Sequence, residues 1–77
     1  MIRWAALLLL AATSCAHRTA DAEERYRIVS QSGDQAEKCR EARVVQGVYL
    51  EAQDDAKYRE WKSTADIDCM IARYGAS

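Results

Sequence analysis

Three cysteines, Cys15, Cys39 and Cys69, carry most of the chemistry that this chain of 77 residues offers. Cys39 and Cys69 lack the close spacing of metal-binding or redox-active cysteine pairs, and no histidine accompanies them. We therefore predict that these two form a structural disulfide. The odd number of cysteines then leaves one thiol, that of Cys15, to be explained in another way.

The other polar residues offer little that suits catalysis. His17 is the only histidine, and we predict that it is solvated. The carboxylate pairs, Asp54 with Asp55 and Asp66 with Asp68, are typical of a turn with a helix cap and of a helix start, and neither has the spacing of a calcium-binding loop. The sequence contains no nucleophile motif, glycine-rich phosphate loop or metal-binding helix motif. We therefore predict no catalytic, cofactor-binding or metal-binding residue and no enzymatic activity.

The start of the chain has the pattern of a bacterial export signal. Arg3 supplies a positive charge, residues 4–12 (WAALLLLAA) are apolar without interruption, and the small Thr13 and Ser14 precede Cys15. This apolar run is about half of the roughly twenty residues that span a bilayer core. We therefore do not expect it to be a permanent transmembrane helix.

Residues 12–15 (ATSC) resemble the cleavage region of bacterial lipoproteins. The resemblance implies that residues 1–14 are a signal peptide, that Cys15 receives a diacylglycerol, and that the chain is cut before this cysteine and acylated there. It also implies an exported protein, lipid-anchored at the periplasmic face of the cell envelope, in either the inner or the outer membrane. The alternative is ordinary secretion without lipid, with cleavage after Ser14, Ala16 or Ala22.

The charges of the chain are nearly balanced, with 11 basic and 12 acidic residues and a net charge of −1. There is no basic excess of the kind that binds nucleic acid and no polybasic membrane patch. The expected partners are therefore the membrane, through the lipid on Cys15, and an unknown envelope protein or a second copy of the chain. No nucleic acid is expected.

Composition divides the chain into a signal peptide (1–14), a lipidated cysteine with a flexible tether (15–25) and a small domain (26–77). Residues 26–31 fit either a strand or a short helix, and Glu23 four residues before Arg27 slightly favours the helix.

A strong helical pattern begins at Asp34. Glu37 lies three residues later, as in a capping box, and apolar residues then recur at steps of three and four. Within this helix Gly47 suggests a close approach of another backbone. A second apolar stripe from Tyr58 onward predicts either one continuous helix or two helices that divide at residues 63–64, ending at Gly75.

The predicted disulfide determines where the chain reverses. Bonded cysteines have α-carbons roughly 4.4 to 6.8 Å apart. One helix from Asp34 to Lys62 would leave Cys39 about 35 Å below its end, and the residues from Lys62 to Cys69 reach only about 25 Å when extended. We therefore predict an all-α fold: an antiparallel helical hairpin of two to three helices that turns at Asp54 and Asp55 and is closed by the disulfide.

Large side chains indicate where the domain could bind a partner. Aromatic residues are common both in cores and at binding hot spots. We assign Tyr49 and Trp61 to the core, and the apolar stripe of the first helix is too wide for a hairpin to bury fully. The candidate interaction face consists of Val44, Val48, Tyr58 and Tyr74.

The predicted function is a non-catalytic structural or protein-interaction role in the envelope. The alternative is a small inhibitory or immunity lipoprotein, by analogy with the exclusion lipoproteins of conjugative plasmids, which share its size and architecture.

Overall fold

The chain forms three helices: α1 (Ile2–Ser32), α2 (Gln35–Glu51) and α3 (Asp55–Tyr74). The structure, a computed structural model, describes the backbone of residues 2–75 and the side chains of residues 16–75. α1 packs against α2, and α2 packs against α3. The all-α prediction is confirmed, and no strand occurs among residues 2–75.

α1 includes the segment that we expected to be a flexible tether. Residues 16–25 are helical, and Ala22 is buried against the core. Arg18 forms an ion pair with Glu51 of α2 (3.1 Å), and the Tyr49 hydroxyl of α2 donates to the Glu23 carboxylate (2.8 Å). The structure therefore differs from the expected tether because this segment has a neighbouring helix to pack on. Residues 26–31 are helical as well, which decides between the two interpretations of that segment.

Two polar turns separate the helices. Gly33 adopts a positive φ of 81° after α1, a conformation that glycine adopts without steric cost. Asp34 then caps α2, because its Oδ1 accepts the Glu37 backbone N–H (3.2 Å). Between α2 and α3, Gln53 has a φ of 58°, and Asp54 caps α3 by accepting the Lys57 backbone N–H (3.2 Å). The predicted cap at residue 34 and reversal at residues 54–55 are confirmed.

The predicted disulfide closes the open end of the α2–α3 hairpin. The α-carbons of Cys39 and Cys69 are 4.6 Å apart in the bonded pair. α3 runs without interruption through Ser63 and Thr64, so the continuous helix is the correct alternative of the two. Gly75 caps it, and its N–H donates to the Ile71 carbonyl (2.7 Å).

The core is small and is formed by side chains from all three helices. Ala22, Val45 and Tyr49 form its buried cluster, with Trp61 and other half-buried apolar side chains packed around it. Tyr49 is therefore a core residue as predicted. The expectation for Gly47 is wrong, because a β-carbon at this position would meet no atom within 4 Å.

Candidate interaction surface

A buried carboxylate connects the three helices beside the disulfide. Asp68 of α3 is 5% exposed, and its Oδ2 accepts the hydroxyl of Tyr26 from α1 (2.7 Å). The Lys38 ammonium of α2 lies 3.7 Å from Oδ1, and the Gln35 side-chain amide donates to the Asp68 backbone carbonyl (3.0 Å). Burial, reinforced by the hydrogen bond to Asp68, raises the pKa of Tyr26 to about 12.

A second tyrosine–carboxylate pair joins α1 to α2. The Tyr49 hydroxyl donates to Glu23, and burial together with this hydrogen bond raises the pKa of Tyr49 to about 12. Like the pair of Tyr26 and Asp68, it satisfies a polar group in a part-buried position. Both pairs link residues that are far apart in sequence, so no local sequence signal could have identified them.

The two carboxylate pairs noted in the sequence have separate roles. Asp54 caps α3, and Asp55 forms an ion pair with Arg59. Asp66 is exposed between Arg43 and Lys62, with contacts of 3.0 Å to each, and their hydrogen bonds lower its pKa. Asp68 faces other partners, as described above. The suggestion that residues 66 and 68 start a helix is wrong, because both lie in the middle of α3.

The remaining candidate ligands are dispersed. His17 is exposed and lies 3.3 Å from Asp21. Within the part of the chain whose side chains are described, no three histidine, cysteine, aspartate or glutamate side chains are grouped so that they could hold a metal ion. The side chain of Cys15, the predicted lipidation site, lies outside the described residues.

The four residues of the predicted interaction face lie in three places. Val44 and Val48 line a groove between α2 and α1. Tyr58 is half-buried against the core near the α2–α3 turn. Tyr74 is 72% exposed near the end of α3. The structure therefore does not bring them together on one surface.

A different apolar surface runs along α3. We call it the outer α3 face; its side chains are between 44% and 72% exposed, and its members are Ile67, Met70, Ile71 and Tyr74. Ala65 and Asp68 are buried on the inner side of the same helix. Of the four residues of the outer α3 face, the interaction face predicted from the sequence includes only Tyr74. The four residues are spaced three, one and three positions apart, a pattern that places them on one side of a helix.

A continuous apolar patch on a small domain typically marks a site of protein or membrane contact. The chain matches no protein-family model, no curated protein and no solved structure. Among the described residues, no helix combines the length and the hydropathy needed to cross a membrane.

Proposed function

We propose that this chain is a small bacterial lipoprotein, anchored through Cys15 at the periplasmic face of the cell envelope, with a non-catalytic structural or protein-interaction role. The observation that carries the proposal is the Cys39–Cys69 disulfide. Disulfides persist in oxidising compartments such as the periplasm. The bridge uses two of the three cysteines, and the third, Cys15, follows the apolar run after Thr13 and Ser14.

The folded domain would lie close to the anchor. α1 continues from residue 15 to residue 32, and the ion pair between Arg18 and Glu51 fastens it to the end of α2. Arg18 is three residues after Cys15, which is about 5 Å along a helix. A lipid on Cys15 would therefore hold the α2–α3 turn near the membrane surface.

The outer α3 face supports an interaction role. Its four large apolar side chains are exposed although the inner side of α3 is packed. In a tethered domain with a core of a few residues, such a face is the strongest candidate for partner binding.

Intact-mass spectrometry of membrane and soluble fractions, with and without reductant, tests the anchor. We expect a membrane-bound species that begins at Cys15, carries acyl mass, and gains two hydrogen atoms on reduction. Cys15→Ser should abolish the acylated membrane-bound species and leave the disulfide between Cys39 and Cys69 intact. A soluble parent chain without lipid, cut at another residue, would refute the anchor and indicate a secreted helical protein instead.

A further inference from the structure

The outer α3 face is exposed because α2 and α3 lie close together across small residues. Ala65 is fully buried, and the α-carbons of the bridged cysteines are only 4.6 Å apart. The large apolar residues of α3 are therefore on the opposite side. We propose that this face binds the same face of a second copy of the chain, with the two α3 helices antiparallel across a two-fold axis.

The spacing of the face is the same in both directions along the helix. Ile67, Met70, Ile71 and Tyr74 are separated by three, one and three residues. When one α3 helix is reversed against another with the axis between residues 70 and 71, Ile67 meets Tyr74 and Met70 meets Ile71. All four side chains then contact an apolar partner, as an isologous interface requires.

The charges beside the face favour this orientation. Asp66 and Arg73 are seven residues apart and lie on the same flank of α3, where they line one groove with Met70 and Tyr74. Asp66 is exposed and lies 3.0 Å from both Arg43 and Lys62 of its own chain. Arg73 forms no ion pair with a carboxylate of residues 16–75.

The antiparallel register places opposite charges nearest to each other. Asp66 is offset from Arg73 of the second copy by two residues, about 3 Å along the axis. The two Arg73 residues are offset by about 8 Å and the two Asp66 residues by about 14 Å. Complementary charges of this kind set the orientation of helix pairs.

The size of the face predicts a weak dimer in dilute solution. A standard interface buries about 800 Å² on each partner, and one face of a single helix supplies less. Confinement to a membrane raises the effective concentration and strengthens such contacts. This strengthening rests on the proposed function. Because the two Cys15 anchors lie at opposite ends of the antiparallel pair, both lipids reach the same membrane when the two α3 helices lie along its surface.

Site-specific photocrosslinking of the full-length chain in its own cell envelope tests the proposal. A photoactivatable phenylalanine analogue replaces Met70 in one variant and Leu50 in the control, since both side chains are exposed to a similar extent (55% and 59%). We expect an adduct of twice the chain mass from position 70 and at least tenfold less from position 50. Adding Ile71→Asp should abolish the adduct, whereas adding Leu50→Asp should not.

The orientation is tested with the same analogue at Tyr74. Peptide mapping of the adduct should locate the new bond near Ile67 of the second copy, whereas attachment near Tyr74 would overturn the antiparallel arrangement. Equal adducts at positions 70 and 50, no adduct at position 70, or attachment only to a different protein or to lipid would overturn the dimer.

The two proposals fail in different ways. Acyl mass and membrane fractionation report on Cys15, and the homodimer adduct reports on the outer α3 face. A soluble, unlipidated chain that still gives the position-70 adduct at high concentration would refute the anchor alone. A lipidated chain without this adduct would refute the dimer alone.

Discussion

Asp68 is a buried carboxylate with a partner from each of the other two helices. Tyr26 of α1 donates a hydrogen bond to it, and Lys38 of α2 supplies a positive charge. A buried polar group that loses its partner costs more than the hydrogen bond itself contributes. The stability of the domain should therefore depend on this residue far more than on the exposed carboxylate two positions earlier.

Replacing Asp68 with alanine should lower the free energy of unfolding by about 1 to 3 kcal/mol, because the Tyr26 hydroxyl loses its acceptor in a part-buried position. Asp66→Ala is the matched control: it removes an exposed carboxylate from the same helix and should change stability little. Urea unfolding followed by circular dichroism gives both values. Equal losses in the two variants would contradict the role given to Asp68.

The tyrosine–carboxylate pairs predict a loss of stability at alkaline pH. Tyr26 and Tyr49 have a folded-state pKa of about 12, against 10.0 for an unperturbed tyrosine. Because the folded-state pKa is the higher one, their contribution is complete below pH 10 and is lost as the pH rises through 12.

Tyr49→Phe removes the titrating hydroxyl, so the unfolding free energy of this variant should fall less than that of the parent between pH 10 and pH 12. The variant also lacks the hydrogen bond to Glu23 at neutral pH. The measurement is denaturant unfolding at several pH values for the parent and the variant. If the stability of the variant fell as steeply as that of the parent, the folded-state pKa of Tyr49 would not be raised.

Replacing Gly47 and Gly33 with alanine should change the stability of the protein in opposite directions. Gly47 is helical with open space around it, so Gly47→Ala should stabilise the protein by about 1 kcal/mol. Gly33 has a φ of 81°, so Gly33→Ala should destabilise by roughly 1 to 2 kcal/mol. Thermal and urea unfolding test the pair, and a loss of stability in Gly47→Ala would reveal a close neighbour that the structure does not show.

At the scale of elements, the α2–α3 hairpin is the covalently closed unit of the molecule. Asp54 caps the start of α3, and the disulfide joins the opposite end of the hairpin across a sequence separation of 30 residues. A bridge across a loop of this length restricts the unfolded chain considerably.

Replacing Cys39 and Cys69 together with serine should lower the free energy of unfolding by about 3 to 4 kcal/mol in the chain-entropy model. Reductant should lower the melting temperature of the parent and leave that of the double variant unchanged. If the parent and the variant melted at the same temperature under oxidising conditions, the bridge would contribute nothing to stability.

At the scale of the whole molecule, α1 is attached differently from the other two helices. The ion pair of Arg18 and the hydrogen bonds of Glu23 and Tyr26 hold it, whereas α2 and α3 also share a covalent bridge. Regions with fewer buried contacts open at lower free energy than the global unfolding transition.

Native-state hydrogen exchange should therefore show α1 opening before the hairpin. Amides of α1 between residues 18 and 30 should exchange at lower denaturant concentration than amides in the middle of α2 and α3, because α1 can separate without breaking a covalent bond. Reductant should narrow this difference by weakening the hairpin. Uniform protection across the three helices would mean that the domain opens as one unit.

Local chemistry and chain length made much of the fold predictable. The caps at Asp34 and Asp54 follow from side chains that satisfy free amides of the next turn. The predicted disulfide favoured a reversal near residue 54, midway between the cysteines, because a helix unbroken to Lys62 would leave Cys39 beyond the reach of Cys69.

The candidate site was less predictable. The interaction face predicted from the sequence consisted of Val44, Val48, Tyr58 and Tyr74, and only Tyr74 belongs to the outer α3 face. A stripe of residues shows that a helix has two sides, but the identity of the packed side depends on the neighbouring helix.

By itself, the sequence determined the helical class, the cysteine pair and the position of the hairpin turn, because these depend on neighbours in the chain and on how far the chain can reach. Only the tertiary structure decided that residues 16–25 belong to a packed helix, that Asp68 is buried while Asp66 is not, and that the large residues of α3 are on the outside. These outcomes depend on contacts between residues distant in sequence, such as Tyr26 with Asp68 and Glu23 with Tyr49. The periodicity of apolar residues cannot predict such contacts, because it does not say which neighbouring helix each face of a helix will meet.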